Sequence, residues 1–344
     1  MLRVVATMMV YNEADILSQV LDHLVDQGVY FVILDDSSGD GSVEIALSYA
    51  GKGLLEHKVV KHDTMMWGKN LDCLLEMAAR HHPDWILKND ADEFLEPPQE
   101  DETLAQAIAQ EDSRGYNVIQ FNDFEFRLTD QDYNSNEPDI RTRLRFYTWW
   151  GDFLYTAWKY YPRTSYRESA GHFPIFPKGI ETKTSPRKFV MRHYRFRTPE
   201  QALRRVFKER LPRYSRIELA KGWHHNYDTC REDPRSFIHD SSGLSYYPGS
   251  GKWEFTRGVR EHPELRPYPS AEEVLLLAKI QQHSGLLSMS SIWGFLRFVR
   301  KVEDQLLPGG SKRNRVYHRL TKLAGNKIAR SFHVLAHNFK IQND

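Results

Sequence analysis

The chain reads as an α/β protein whose first hundred or so residues wind strand and helix alternately into a parallel, doubly wound sheet. Three observations predict this: short apolar runs suited to doubly buried strands, amphipathic stretches between them, and Gly, Asn and Asp at the junctions. Val4 to Val10 is the first such run. Asn12 is placed to cap a helix that carries Ile16, Leu17, Val20, Leu21 and Leu24 on one face and closes at Gly28. Tyr30 to Leu34 makes a second strand that runs into Asp35-Asp36-Ser37-Ser38-Gly39-Asp40-Gly41. Val43 to Tyr49 reads as a helix, Lys58 to Lys61 as a short strand, and Lys69 to Arg80 as a helix, before the run Trp85-Ile86-Leu87.

Beyond Pro98 the pattern loosens. A helix is expected over Glu102 to Gln110, and strands over Asn117 to Phe126 and Arg143 to Thr148. Aromatics, prolines and glycines then dominate from Trp149 to Lys188, a composition suited to binding loops. Thr198-Pro199-Glu200-Gln201 is a capping box with proline at the first helical position, so a helix should run from Pro199 to about Arg210 and stop near Pro212. Further helices are expected at about Ala271 to His283, Ser291 to Gln305 and Lys312 to His337. We expect a catalytic domain over 1–230 and a mainly helical, basic extension over 231–344.

Charge is balanced, with 47 Lys and Arg against 46 Asp and Glu, so nothing global suggests a nucleic-acid partner. The tail departs from that balance: Arg297, Arg300, Lys301, Lys312, Arg313, Arg315, Arg319, Lys322, Lys327, Arg330 and Lys340 face only Glu303 and Asp304. Cys73 and Cys230 are the only cysteines and form neither a disulfide framework nor a C-x-x-C metal signature. With no signal-peptide pattern and no apolar stretch of about eighteen residues, a cytoplasmic location is expected, with peripheral contact at the inner membrane face left open.

The most informative string is Trp85-Ile-Leu-Lys-Asn-Asp90-Ala-Asp92-Glu93-Phe94-Leu95, an apolar strand that ends in carboxylates. Read as extended backbone, Asp90 and Asp92 point to the same side. Hard oxygen ligands so placed suit Mg²⁺ or Mn²⁺, whose shell water and substrate phosphates typically complete. A second D-x-D, Asp130-Gln131-Asp132, lies in a polar run without a preceding strand and reads as a loop. Tyr11-Asn12-Glu13, Asp35-Asp36 and Asp90/Asp92 each follow a strand, so all three should line one carboxyl edge, where open α/β sheets bind ligands. A nucleotide across that edge would set its base near the first two groups and its phosphates near the third. Asp36 can only accept hydrogen bonds, which suits the ring N–H of uracil or guanine; a plain turn-forming role is its alternative.

These three strings, VVATMMVYNEADIL, VILDDSSGDGS and WILKNDADEFL, resemble the nucleotide-sugar-dependent glycosyltransferases of GT-A fold, family 2 and its relatives, over roughly the first hundred residues. Met9, where a small residue or proline is usual, and the polar Lys88 and Asn89 depart from the pattern. Arg192-His193-Tyr194-Arg195 and the capped helix after it are similar to a further segment of a subset of that family. The resemblance implies a GT-A type mixed sheet flanked by helices, and an inverting, metal-dependent transfer from a UDP- or GDP-sugar to a saccharide or lipid-linked acceptor in surface polysaccharide or glycoconjugate synthesis. It implies Asp90 and Asp92 as metal contacts with His193 as a further metal or diphosphate contact, Tyr11, Glu13, Asp36 and Asp90 as nucleotide contacts, and Arg195 and Arg197 as neighbours of the phosphates. Arg204, Arg205, Lys208, Arg210 and Arg213 read as a solvated basic helix or as partners of acidic neighbours.

Inversion requires a carboxylate base, and the resemblance does not say which. Glu168, in a small-residue loop, is the first candidate and Asp152 the second. Trp149, Trp150, Trp158, Tyr160 and Tyr161 suit either an acceptor platform or core packing. The basic C-terminal helices suit either anionic lipid or a solvated face. Two other functions stay open at this point. A sugar-nucleotide nucleotidyltransferase would need a glycine-rich basic loop after the first strand, which Tyr11 to Asp15 is not. The other is a non-catalytic nucleotide- or sugar-binding protein on the same scaffold.

Overall fold

A computed structural model describes residues 2–132, 135–167, 169, 171–220, 224, 227 and 230–255, with the backbone alone at Asp152, Phe153 and Ala220. The chain divides into two compact units, Met1–Leu219 with Trp223–Glu272, and Ala220–Gly222 with Glu273–Asp344. All elements named below belong to the first. The helices expected beyond residue 255, and the basic tail with them, lie outside the described residues. Among the described residues no helix is long and apolar enough to cross a membrane.

The order is β1 (Val4–Val10), α1 (Leu17–Asp26), β2 (Tyr30–Asp35), α2 (Ser42–Leu47), β3 (Leu54–Val59), α3 (Trp67–Ala79), β4 (Trp85–Lys88), β5 (Glu93–Glu96), α4 (Leu104–Ser113), β6 (Val118–Phe126), α5 (Ile140–Arg143), β7 (Phe146–Lys159), β8 (Phe189–His193), α6 (Pro199–Leu203) and β9 (Ser245–Tyr246). Neighbours across the sheet run β3-β2-β1-β4-β7-β6-β8-β5, with β9 on β7. The expected α/β fold, a mixed sheet flanked by helices, is the one observed. Strands β1 to β4 are mutually parallel, and the sheet becomes mixed where β7 joins β4 antiparallel. Parallel pairing places the ends of β1, β2 and β4 on one edge: Val10 lies opposite Asp35, and Thr7 opposite Lys88.

Burial follows from sequence. β1 and β2 are apolar on both faces because helices cover both, and Val4, Val5, Ala6, Phe31, Val32 and Ile33 are wholly buried. Helix α1 turns the predicted stripe inward, burying Leu17, Val20, Leu21 and Leu24. Trp85 Nε1 donates to Asp112 Oδ1 at 2.8 Å, and Lys159 Nζ reaches the same oxygen at 2.8 Å, tying β4 and β7 to α4.

Several expectations are corrected. Asn12 does not cap α1; it takes a left-handed φ of 56°, and its side chain bridges Gly39 N and Glu209 instead. The third strand lies at Leu54–Val59 rather than 58–61. β7 continues to Lys159, through a stretch read as loop, because Trp158 and Ala157 are needed opposite Ile86 and Leu87 in the core. Trp158 is fully buried and packs at 5.3 Å on Tyr166, so it is core and not an acceptor platform. Helix α6 is α-helical only to Leu203, continues as a π turn over Arg204–Arg210 and ends in a 3-10 turn, Leu211–Arg213.

Ile33 is fully buried in the core away from the sheet edge. Ile33→Ala should cost about 2–5 kcal/mol, read as a lower urea midpoint at unchanged slope.

Candidate functional site

After Lys88 the chain leaves the sheet and turns back as β5, so Asp90 and Asp92 lie in a turn and not on a strand. The alternation that would point them the same way does not apply there. Asn89 holds the turn, its Nδ2 donating to the carbonyls of Asp90 at 2.6 Å and Glu93 at 3.0 Å. Glu93 Oε2 accepts from Asp90 N at 2.8 Å. Lys88 Nζ stands 2.6 Å from Asp90 Oδ2 and 3.6 Å from Glu93 Oε1. The polar pair before Asp90 thus has a use: Asn89 shapes the turn and Lys88 offsets its charge. Burial drives Glu93 up to about 7, against the pull of Lys88.

Asp92 points inward and is 2 % exposed, whereas the Asp90 side chain is 28 % exposed at the rim. Strand β8 pairs antiparallel with β5 so that His193 lies opposite Glu93, and Tyr194 N donates to Asp92 O at 2.8 Å. This register brings His193 Nε2 to 3.6 Å from Asp92 Oδ2. From the other side Arg205 Nη2 lies 2.7 Å from the same oxygen. Burial alone would raise Asp92, but Arg205 and His193 together hold it well below the usual carboxylate range. Burial opposes protonation of His193 too, yet Asp92 outweighs it and lifts the imidazole to about 9.

Arg205 is also held by Glu13, whose Oε1 is 2.7 Å from Nη1. Glu13 Oε2 accepts from Arg197 Nη2 at 2.6 Å, and Arg197 grips Asp15 through Nε at 2.7 Å and Nη2 at 2.8 Å. Arg197 is 1 % exposed, so this guanidinium, expected beside phosphates, is enclosed by carboxylates of its own chain. Arg195 instead lies 3.6 Å from Glu125 Oε1. At the end of β2, Asp36 Oδ2 accepts from Arg213 Nη2 at 2.6 Å, and its Oδ1 lies 3.3 Å from His62 Nδ1. The Arg213 guanidinium carbon sits 4.0 Å from the centre of the Tyr11 ring.

The structure therefore brings together Glu13, Asp92, His193 and, through Arg205, the arginine segment, with Tyr11 and Asp36 joined to each other by Arg213. Asp90 stands apart on Lys88. Glu168 lies outside the described residues, and of Asp152 only the backbone, within β7, is described. Three contributors escape a reading of the sequence. Sequence leaves Arg205 and Arg213 on a face met by water or by acidic neighbours and names neither the acids nor a role in the site; the proline-terminated basic run is the available signal for them. Asp123, on β6, is buried with Oδ1 free of hydrogen bonds and is raised by burial to about 6. It shares its strand face with Glu125, which lies opposite His193.

A divalent cation fits this chemistry in part. Asp92 Oδ2, though close to Arg205, accepts no hydrogen bond of good geometry, and a carboxylate beside an imidazole is a suitable donor pair for Mn²⁺. Among the described residues no three ligating side chains converge on one point, so donor phosphates would have to complete the shell.

Residues 6–169 match the model of the family described as Glycosyl transferase family 2. That segment is similar to a glycosyltransferase domain. No curated protein matches it. Among solved structures it is similar to S. aureus TarS, at 15% identity over 64% of this chain and 42% of that one, with a TM-score of 0.35. TarS 1–349 in complex with UDP gives 16% identity over 64% and 69%, also at 0.35. The mannosyltransferase PcManGT from Pyrobaculum calidifontis, in complex with GDP-Man and Mn²⁺, gives 18% identity over 59% and 61%, at 0.33. The chain spans less than half the length of the longer TarS chain.

Arg197→Met should cost about 3–5 kcal/mol by stranding Glu13 and Asp15, and adding Glu13→Gln should recover part of it in the same urea titration. Glu125 gives a pH signature. Burial would raise it, but Arg127 and Arg195 bring it from 4.5 down to about 2. Its stabilisation is complete above about pH 4.5 and fades as pH falls towards 2. The stability gap between wild type and Glu125→Gln should therefore close across that window in acid unfolding.

Proposed function

We propose that the protein transfers a sugar, with inversion, from a nucleoside diphosphate donor to a saccharide or lipid-linked acceptor. The observation that carries this is the convergence of Asp92, His193 and Arg205 on one buried point, within a chain whose residues 6–169 match a glycosyltransferase family. The diphosphate would sit against the Asp90–Asp92 turn and the base against Tyr11 and Asp36, whose acceptor-only carboxylate favours uracil or guanine. Asp92 and His193 would hold Mn²⁺ or Mg²⁺ together with the donor phosphates, and Asp90 could join them only by leaving Lys88; the ion when bound neutralises charge developing on the leaving diphosphate.

This chain's own groups supply the rest. Lys88, at Asp90, and Arg205, at Asp92, place fixed positive charge on that turn. Arg195, two residues after His193 and now beside Glu125, is our candidate for a forked contact to phosphate. Arg197 acts one step back by fixing Glu13, which in turn aims Arg205. The acceptor hydroxyl attacks the anomeric carbon as the bond to the diphosphate oxygen breaks, and its proton passes to a carboxylate, for which Glu168 and Asp152 are our candidates. A role in surface polysaccharide or glycoconjugate synthesis, at the cytoplasmic face of a membrane, agrees with the basic composition of the C-terminal segment.

Release of nucleoside diphosphate from a panel of UDP- and GDP-sugars, with and without Mn²⁺, tests the reading. One donor should turn over in the presence of the metal. Asp92→Asn should then lower kcat by roughly 10²-fold or more, the scale of several kcal/mol of charge stabilisation. An Asp92→Asn protein as active as wild type in chelator-treated buffer would refute the assignment.

A further inference from the structure

The charge that closes the nucleotide end of the site comes from a segment, Arg204–Arg213, that lies beyond the family match at residues 6–169. Both oxygens of Asp36 are engaged, Oδ2 by Arg213 at 2.6 Å and Oδ1 by His62 at 3.3 Å. The same guanidinium lies 4.0 Å from the Tyr11 ring centre and donates to His62 O at 3.1 Å. A nucleobase in this place would use the same two partners, the carboxylate in its plane and the aromatic ring against its face. A planar guanidinium making both contacts fills the volume a base needs, for no ring enters a stacking gap already closed at 4.0 Å.

We propose that Arg213 is a built-in stand-in for the donor's base: it occupies the Asp36–Tyr11 pocket in the free protein, and nucleotide binds by displacing it. The proposal rests on the reading of Asp36 and Tyr11 as the base site. Local structure favours such an exchange. Arg213 ends a π turn and a 3-10 turn around Pro212, geometries with weaker and fewer backbone hydrogen bonds than an α-helix. Its Nη1 is buried without a hydrogen-bond partner, so the stand-in satisfies the pocket incompletely. The backbone is held at both ends, at Arg205 by Glu13 at 2.7 Å and Tyr227 OH at 3.3 Å and at Arg213 O by Met65 N at 2.6 Å, so the exchange is a swing of the Arg213 side chain. The displaced state is the same for every nucleotide, so Arg213 should weaken all of them by one common factor.

Calorimetric titration of the full chain with UDP and with GDP, in Mn²⁺ buffer, tests this on wild type, Arg213→Ala and Asp36→Asn. Arg213→Ala should bind both nucleotides more tightly, by the same factor of about three to ten, and Asp36→Asn should bind more weakly than wild type. Unchanged or weaker binding by Arg213→Ala, with Asp36→Asn still impaired, overturns the stand-in and leaves the base site standing. Binding unaffected by Asp36→Asn, or no binding of either nucleotide to any of the three proteins, overturns the base site and the stand-in together. Should Arg213→Ala fail to fold, Arg213→Gln takes its place in the same titration. Tighter binding of both nucleotides by one factor is again expected, and unchanged or weaker binding overturns the proposal.

Discussion

Glu13 is the point on which the site depends. It follows the end of β1, is 4 % exposed, and holds two arginines that arrive from almost two hundred residues later, Arg197 at 2.6 Å and Arg205 at 2.7 Å. A carboxylate so far from water is tolerable only when its charge is met. Once met by two guanidiniums, it passes an excess of positive charge to the next acid in reach, and that acid is Asp92. The chain Asp15–Arg197–Glu13–Arg205–Asp92 therefore alternates in sign and welds the first strand to the segment after β8. Removing any inner member strands its neighbours, so this network fixes position as much as it adds stability.

How much of this is legible in the sequence depends on the range of the interaction. β1, β2 and β4 can be read from local apolar runs, and their shared carboxyl edge follows from parallel winding alone. The capped start of α6 is equally local, since Thr198 Oγ1 accepts from Gln201 N at 3.1 Å, although the Gln201 side chain accepts from Arg197 N at 3.1 Å and leaves the expected box half made. Failures come where distant partners decide. Local pattern between Trp149 and Lys159 cannot show that the core claims Trp158 opposite Ile86, because nothing in that aromatic, glycine-bearing neighbourhood records the pairing. The acidic string is recognisable as a site, but its shape is not, because Lys88 and Asn89 convert a strand into a turn through contacts to Asp90 and Glu93.

The arginine segment shows the same limit in another form. Read at the α-helical period, Arg204, Arg205, Lys208, Arg210 and Arg213 decorate a face that water or acidic neighbours would satisfy, with nothing to say which acids. In the structure the helix widens to a π turn at Arg204, which shifts every later side chain from its α-helical position. Arg205 becomes 7 % exposed and Val206 fully buried. Tyr227 and Phe237 pack beside Val206 in a small apolar cluster of their own, and these contacts hold the widened turn. No local propensity marks it.

Asp92 and His193 are neighbours for a reason that is purely one of register. β5 is a four-residue strand, and its antiparallel pairing sets Glu93 against His193, Leu95 against Met191. Because side chains alternate along a strand, His193 shares a face with Met191 and Phe189 while Arg192 takes the opposite one, where Tyr247 and Trp253 stack on it at 4.5 and 5.4 Å. A slip of one residue would exchange those faces, sending the imidazole into the aromatic cluster and the guanidinium towards Asp92. The apolar cost of burying Arg192's neighbours wrongly, and of leaving Phe94 and Tyr194 without their 5.6 Å edge contact, opposes that slip. The aromatic packing on one side of β8 is thus what aims the ionisable group on the other.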